Sequence, residues 1–279
     1  MIILKKWQLR TLLLANVIAL NAYGNLNAKN KTSETEKVQK VEKSSQTSSQ
    51  GTSKVQTKLD KAKKNGKAVF VVVTGSADTE KDKATTIAKS AVAKYKNAVM
   101  VEMNRDDVAN AELVNKWRLS GAQTPLIMVI SPKGYPTGGY LLNEATSDKI
   151  VELVPSPKMD NTYEALNNSK AVFIIVSKKS YTDKSQIIEN CNAAIKQLQN
   201  KAIVVDVDLD DKKESAFIKQ LNLKSTPNTT VAIVLNANGQ TTGYFEGKAQ
   251  SNELVLAANK VIKSRGCCSG GRNASCGSR

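Results

Sequence analysis

Two apolar segments, KAVFVVVT (residues 67–74) and KAVFIIVS (170–177), decide how the chain is organised. Each is rich in β-branched residues and has the length of a buried strand. Later segments repeat in the same order, at the same offset of about a hundred residues. They are NAVMVEMNRDD (97–107) with KAIVVDVDLDD (201–211), and GAQTPLIMVISPKGYPTGGY (121–140) with KSTPNTTVAIVLNANGQTTGY (224–244). The chain therefore contains an internal duplication of a whole domain.

Within each copy the apolar periodicity alternates between helix and strand. A short basic helix leads into the first strand, and a longer amphipathic helix joins this strand to the second. A third helix is followed by a Thr-Pro turn, a third strand, a glycine turn, a short fourth strand and a last helix. This order predicts an α/β protein in which each copy has a mixed central sheet flanked by helices.

The segments LDKAKKNGKAVFVVVT, MVEMNRDD and LSGAQTPLIMVISPKG resemble the thioredoxin fold. The second copy resembles it again through VVDVDLDD and KSTPNTTVAIVLNANG. The resemblance covers residues 55–155 and 160–264, so we predict two tandem thioredoxin-like domains at residues 55–157 and 158–264.

The resemblance implies a role for the Thr-Pro that precedes the third strand of each copy. In thioredoxin-like proteins this proline is cis, and its loop contacts bound peptide. The candidate peptide-binding residues are therefore Thr124, Pro125, Thr226 and Pro227. A purely architectural turn is the alternative, and the sequence leaves both interpretations open.

Thioredoxin-like redox chemistry depends on a Cys-x-x-Cys that follows the first strand and opens a helix. The corresponding segments here are TGSADTEKDK (74–83) and SKKSYTDKSQ (177–186), and neither contains a cysteine. The standard exchange reaction is therefore not expected at either site, and a non-enzymatic role is favoured.

Polar residues after the predicted strands are interpreted as helix caps. After the first strands these are Ser76, Asp78, Thr79, Ser180 and Thr182. After the second strands a cation site is the alternative to capping, but the spacing matches no calcium loop. The residues concerned there are Asn104, Arg105, Asp106 and Asp107 in the first copy and Asp208, Asp210 and Asp211 in the second.

Three of the four cysteines lie in the C-terminal segment GCCSGGRNASCGSR, at Cys267, Cys268 and Cys276. A disulfide there would close almost no loop and would stabilise the chain little. Capture of a soft metal ion such as Cu(I) and thiol exchange with a partner protein both remain open, as do intermolecular tethering and cysteines without a shared role. Cys191 lies on a predicted helix at the apolar spacing and is expected in the core.

The first 24 residues have the layout of a secretory signal, with basic residues, a short apolar run (12–20) and small residues at the end. The run is shorter than the roughly 20 residues that span a bilayer. We therefore predict a cleaved signal and no transmembrane span in the mature chain, which would be periplasmic or secreted. Residues 25–54 are predicted to be a disordered linker, and residues 265–279 a flexible tail.

The chain of 279 residues carries a formal net charge of +16 and no histidine. Serine–histidine–aspartate triads, Cys/His dyads and histidine-ligated metal sites are therefore excluded. The positive charge comes mostly from lysine, without arginine clusters interleaved with aromatics, so nucleic acid is not an expected partner. The sequence predicts a protein-binding scaffold with a metal- or thiol-binding tail. The alternative is an oxidoreductase that acts through Cys267 and Cys268.

Overall fold

The computed structural model describes residues 53–223 and 225–262, which form two four-stranded sheets in succession along the chain. The predicted signal, linker residues 25–52 and the tail at 265–279 lie outside the described residues. The first domain contains α1 (Lys54–Lys64), β1 (Ala68–Thr74), α2 (Lys81–Lys94), β2 (Ala98–Asn104), α3 (Ala111–Lys116), β3 (Leu126–Ile130), β4 (Pro136–Leu141) and α4 (Ser147–Glu152).

The second domain repeats this order. It contains α5 (Pro157–Asn167), β5 (Ala171–Ser177), α6 (Lys184–Gln197), β6 (Ala202–Asp208), α7 (Ser215–Gln220), β7 (Val231–Leu235), β8 (Thr241–Glu246) and α8 (Ser251–Asn259). A 3₁₀ turn precedes α3 at Val108–Asn110, and its counterpart precedes α7 at Lys212–Glu214.

Both sheets have the same topology. The strand order is β2-β1-β3-β4 in the first and β6-β5-β7-β8 in the second. The first two strands of each sheet are parallel, and the third strand runs antiparallel to the first. Helices cover both faces, as the alternating pattern predicts. The prediction of two tandem thioredoxin-like domains, each with a mixed sheet, is confirmed.

The central strands β1 and β5 form the middle of each core, because every one of their residues is buried. Successive side chains of a strand point to opposite faces, so each strand supplies two hydrophobic clusters. In the first domain Val71 packs on the side of α1, which contributes Leu59, whereas Phe70 packs on the side of α2. Phe173 is the counterpart of Phe70 and is likewise inaccessible to solvent.

A polar contact joins the two domains. The turn between β3 and β4 lies against α5, where Asp160 is only 4% exposed. The backbone N–H of Lys133 donates to Asp160 Oδ2 at 3.1 Å, and the Lys133 ammonium pairs with Glu164. Burial raises the pKa of the Asp160 carboxyl above its usual range. The second domain is therefore tied to the first through the opening turns of its first helix.

The turn between β7 and β8 is hydrogen-bonded to residues 260 and 262, at the end of the described chain. The Gln240 side chain donates to the carbonyl of Ile262 at 2.7 Å and accepts the Ile262 N–H at 3.0 Å. The Asn236 amide donates to the carbonyl of Lys260 at 2.7 Å. The point from which the chain continues toward its cysteines is therefore fixed on the second domain.

Candidate functional site

The candidate sites lie at one edge of each sheet, where the parallel strands end side by side. Thr74 pairs with Asn104 at this edge of the first sheet, and Ser177 pairs with Asp208 in the second. The loops that follow these strands meet there. The resemblance to the thioredoxin fold implies that redox-active members carry their cysteines at this edge.

In the first domain a network of hydrogen bonds fills this edge. The N–H of Gly75 donates to Asp78 Oδ2 at 2.7 Å, and the N–H of Ser76 donates to Asp106 Oδ2 at 2.6 Å. The Thr124 hydroxyl donates to the other oxygen of Asp78 at 3.2 Å. Both carboxylates thus hold backbone turns in place, and Asp78 also connects the loop after β1 to the loop before β3.

Asp106 is kept ionised by this arrangement. The N–H of Ser76 is the main cause that lowers the pKa of the Asp106 carboxyl, and Arg105 adds to it. The Arg105 guanidinium lies 3.4 Å from Asp106 and also donates to the carbonyl of Ala122. Arg105 therefore links the end of β2 to the segment that leads to Pro125.

The backbone at Thr124 is left open by these contacts. Thr124–Pro125 is the one cis peptide bond within residues 53–223 and 225–262. Among these residues, neither the N–H nor the carbonyl of Thr124 has a hydrogen-bond partner. Gln123 beside it is exposed, and Thr124 is half-buried. The side chain is held while both peptide groups are unpaired, in a half-buried residue beside an exposed one.

The second domain does not reproduce this loop, which corrects the expectation for Thr226 and Pro227. The Thr226–Pro227 bond is not cis, and Pro227 is buried. The reason is a shift along the chain, because Pro125 directly precedes β3 whereas three residues separate Pro227 from β7. Thr230 takes the position of Pro125 instead.

Hydrogen bonds support this alignment of Thr230 with Pro125. The carbonyl of Pro125 accepts the N–H of Leu142, and the carbonyl of Thr230 accepts the N–H of Gly247 in the same way. Unlike proline, Thr230 has an N–H, and this group donates to Asp183 at 3.1 Å. Sequence comparison matched the Thr-Pro pairs and missed the shift, although counting residues to the strand would have revealed it.

Side chains from the loop after β5 close the second site. The Thr230 hydroxyl also donates to Asp183, at 2.6 Å, and the Tyr181 hydroxyl donates to the carbonyl of Pro227. A cleft of about 510 Å³ lies beside these groups, between the loop and Gly247. Asp183 and Tyr181 therefore hold the second loop through Thr230 and Pro227, while the N–H and carbonyl of Thr229, the counterpart of Thr124, have no hydrogen-bond partner among the described residues.

The helix-cap predictions are wrong after the first strands. After the second strands they are confirmed for Asp107 and Asp211 but not for Asp106, which binds the N–H of Ser76, or for Asp210, which pairs with Lys178. The N-cap residues of α2 and α6 are Glu80 and Asp183, so the five residues predicted there lie in the preceding turns. In contrast, Asp107 accepts the N–H of Ala109 at 3.0 Å as the cap of its 3₁₀ turn. Asp211 makes the equivalent bond in the second domain.

The one cysteine within residues 53–223 and 225–262 is Cys191, which is fully buried as predicted. Burial raises the pKa of its thiol to about 12. Cys267, Cys268 and Cys276 lie outside the described residues. In the described part of the chain there is no group of three or more acidic or cysteine side chains that could hold a metal ion. No helix there is long and apolar enough to cross a bilayer.

No protein-family profile and no curated protein matches the chain. Among solved structures, it is similar to the first two thioredoxin domains of Saccharomyces cerevisiae Eps1p, with 10% identity over 73% of this chain and 96% of that one and a TM-score of 0.27. It is also similar to human ERp44, with 12% identity, coverage of 78% and 58%, and a TM-score of 0.33. A third is the NTD_N/C domain of the alkylhydroperoxide reductase AhpF from Enterococcus faecalis, with 13% identity, coverage of 72% and 98%, and a TM-score of 0.23. The fold follows from the strand order and connections of each sheet, and the chain therefore consists of two tandem thioredoxin-like domains.

Proposed function

We propose that this is an exported, non-catalytic scaffold that binds extended segments of partner proteins through the loop at Thr124 and Pro125. The observation that carries the proposal is the unpaired N–H and carbonyl of Thr124 in the described part of the chain. Unpaired backbone groups at an accessible edge can pair with an extended peptide, which then obtains its affinity from main-chain hydrogen bonds.

The contacts around Thr124 support binding rather than a loose turn. Its side chain is held by Asp78, and Asp78 in turn holds Gly75. A loop whose conformation is already fixed loses little conformational entropy when a partner binds. In the second domain Thr229 takes the place of Thr124, and its N–H and carbonyl are likewise unpaired within residues 53–223 and 225–262. No side-chain hydrogen bond holds Thr229 among those residues, however, because Asp183 binds the neighbouring Thr230 instead. The proposal therefore assigns partner binding to the first domain.

The binding site can be tested with a photo-crosslinking residue placed at Gln123, next to the open peptide groups. The matched control is Asn228, which occupies the same place relative to β7 and is also exposed. With a permanently unfolded, cysteine-free polypeptide as probe, we expect at least about five times more crosslinking at 123 than at 228, since only the first loop has its unpaired backbone groups held in place by a side-chain bond, from Thr124 to Asp78. Equal yields at both positions would contradict the site.

The second part of the proposal concerns the tail, whose Cys267, Cys268 and Cys276 would bind a soft metal ion such as Cu(I). Cys191 is fully buried with a pKa near 12, so any thiolate chemistry at neutral pH falls to the tail. Thiolates are the ligands that Cu(I) prefers. Arg265 and Arg272 flank the cysteines and favour the thiolate form.

Native mass spectrometry after anaerobic Cu(I) titration tests the tail. We expect one bound ion per chain, lost when the three tail cysteines are replaced by serine and kept in the control Cys191→Ala. If the wild-type chain binds no copper but shows a Cys267–Cys268 disulfide that a mild dithiol reduces, the tail is an exchange site. That result would replace the metal proposal with the oxidoreductase alternative.

A further inference from the structure

The net charge of the first domain is concentrated on one short segment. Residues 54–67 contain six lysines and one aspartate, whereas residues 68–155 contain ten basic and ten acidic side chains. The rest of the domain is therefore neutral overall. The excess positive charge lies on α1 and on Lys67, the last residue before β1. A domain with its net charge on one helix presents a directional field to its surroundings.

The lysines of α1 form a continuous exposed surface, which we call the lysine face and define as Lys54, Lys58, Lys61 and Lys64. The first three are spaced by four and three residues, so they lie on one side of the helix along roughly 10 Å of its axis. All four side chains are exposed. The opposite side of the helix is buried against the sheet.

No carboxylate neutralises this surface. Within residues 53–223 and 225–262, none of the four lysines forms an ion pair. Asp60 is the one acidic residue of α1, and its Oδ1 accepts a hydrogen bond from the Gln56 amide at 2.8 Å. The charge of the lysine face is thus available to an external anion.

Folding alone does not account for lysine at the start of this helix. Cations are favourable near the C-terminus of a helix, which explains Lys61 and Lys64, but they are unfavourable near the N-terminus. Lys54 is the first residue of α1, and the first turn has no acidic residue. A bound anion would offset this repulsion.

We propose that the lysine face binds a linear acidic polysaccharide, whose carboxylate or sulfate groups repeat along the chain and meet the lysines in turn. Lysine is a point charge that pairs with such groups without the planar geometry of arginine. Residues 53–67 contain no arginine and no aromatic side chain on which a base could stack, which disfavours nucleic acid. The exposed large apolar residues of the described chain all lie outside α1, which disfavours insertion into a bilayer.

The test compares two triple charge reversals in the full chain. Lys54→Glu/Lys58→Glu/Lys61→Glu alters the lysine face, while Lys212→Glu/Lys213→Glu/Lys219→Glu changes three exposed, unpaired lysines of the second domain by the same charge. The probe is a sulfated polysaccharide of the heparin type, and the dissociation constant is measured by calorimetry in 0.15 M salt. Three lost charge contacts at roughly threefold each give a loss of about 30-fold for the face variant, against less than about threefold for the control.

If the Lys→Glu protein does not fold, the triple Lys→Gln variant at the same three positions takes its place. Circular dichroism verifies the helix content of each variant. Equal losses for the face and the control would overturn the proposal, because the binding would then depend on net charge alone. Tighter binding of double-stranded DNA or of vesicles containing an anionic phospholipid, lost in the same face variant, would also overturn it. Affinity for the polysaccharide that falls with rising salt and depends on the lysine face supports it.

Discussion

Replacing Glu214 with alanine is expected to lower the free energy of unfolding of the second domain by about 3 kcal/mol. Glu214 is 2% exposed, at the end of the 3₁₀ turn before α7. Its carboxylate accepts the hydroxyl of Ser156 and, at 3.1 Å, the N–H of Lys158. These groups belong to the N-cap and first turn of α5, so the alanine variant leaves two part-buried donors without an acceptor.

Urea unfolding followed by circular dichroism measures the loss, and hydrogen exchange of the peptide that contains α5 locates it. Glu214→Gln retains one acceptor oxygen and should cost about half as much. Glu112→Ala is the matched control, because Glu112 is an exposed glutamate at the start of α3 and should change stability by no more than about 0.5 kcal/mol. If Glu214→Ala costs no more than Glu112→Ala, the carboxylate does not hold the start of α5.

The repeated apolar segments were sufficient to predict the fold. Residues 68–73 and 171–176 are apolar throughout and rich in β-branched residues, which is typical of a strand buried on both faces, and the structure buries every residue of β1 and β5. The helix that opens each domain was also predictable, because Val55, Leu59 and Ala62 recur at helical spacing. Such patterns are local, so one sequence reveals them.

The long-range contacts that hold the start of α5 could not be predicted in the same way. Glu214 lies in the polar segment KKES, which predicts an exposed turn. In the fold its carboxylate instead accepts the N–H of Lys158 at the start of α5. Asp160 is likewise one of two acidic residues on an amphipathic helix. Burial of such groups depends on partners distant in sequence, such as Lys133 for Asp160, and no local pattern encodes that pairing.

The two copies share a sheet but differ at the edge where a partner would bind. Both keep an ion pair from the start of the second helix to the second strand, Lys81 with Glu102 and Lys184 with Asp206. The loops before the third strands have diverged. The second domain has Thr230 where the first has Pro125, and the additional N–H of Thr230 is bound by Asp183. The loops have therefore diverged while the pairing between the second helix and the second strand is kept.

The largest pH-dependent effect is expected from Cys191 in α6. Burial raises the pKa of its thiol from 9.0 to about 12. Between these values the unfolded chain loses the thiol proton while the folded chain keeps it, so the unfolded state binds fewer protons and stability falls as pH rises. The slope reaches about 1.4 kcal/mol per pH unit, and below about pH 8 the thiol contributes no pH dependence.

Comparing the wild-type chain with Cys191→Ala isolates this effect, provided that the tail cysteines are serine in both proteins. Lysines and tyrosines also titrate at high pH, but they are common to the two proteins and their contributions cancel in the difference. The cavity left by the buried sulfur lowers the free energy of unfolding of the variant by an amount that does not depend on pH. Between pH 7.5 and 10.5, urea unfolding should show the wild type losing about 2 kcal/mol more than the variant. Parallel stability curves would mean that the Cys191 thiol ionises as readily in the folded protein as in the unfolded chain.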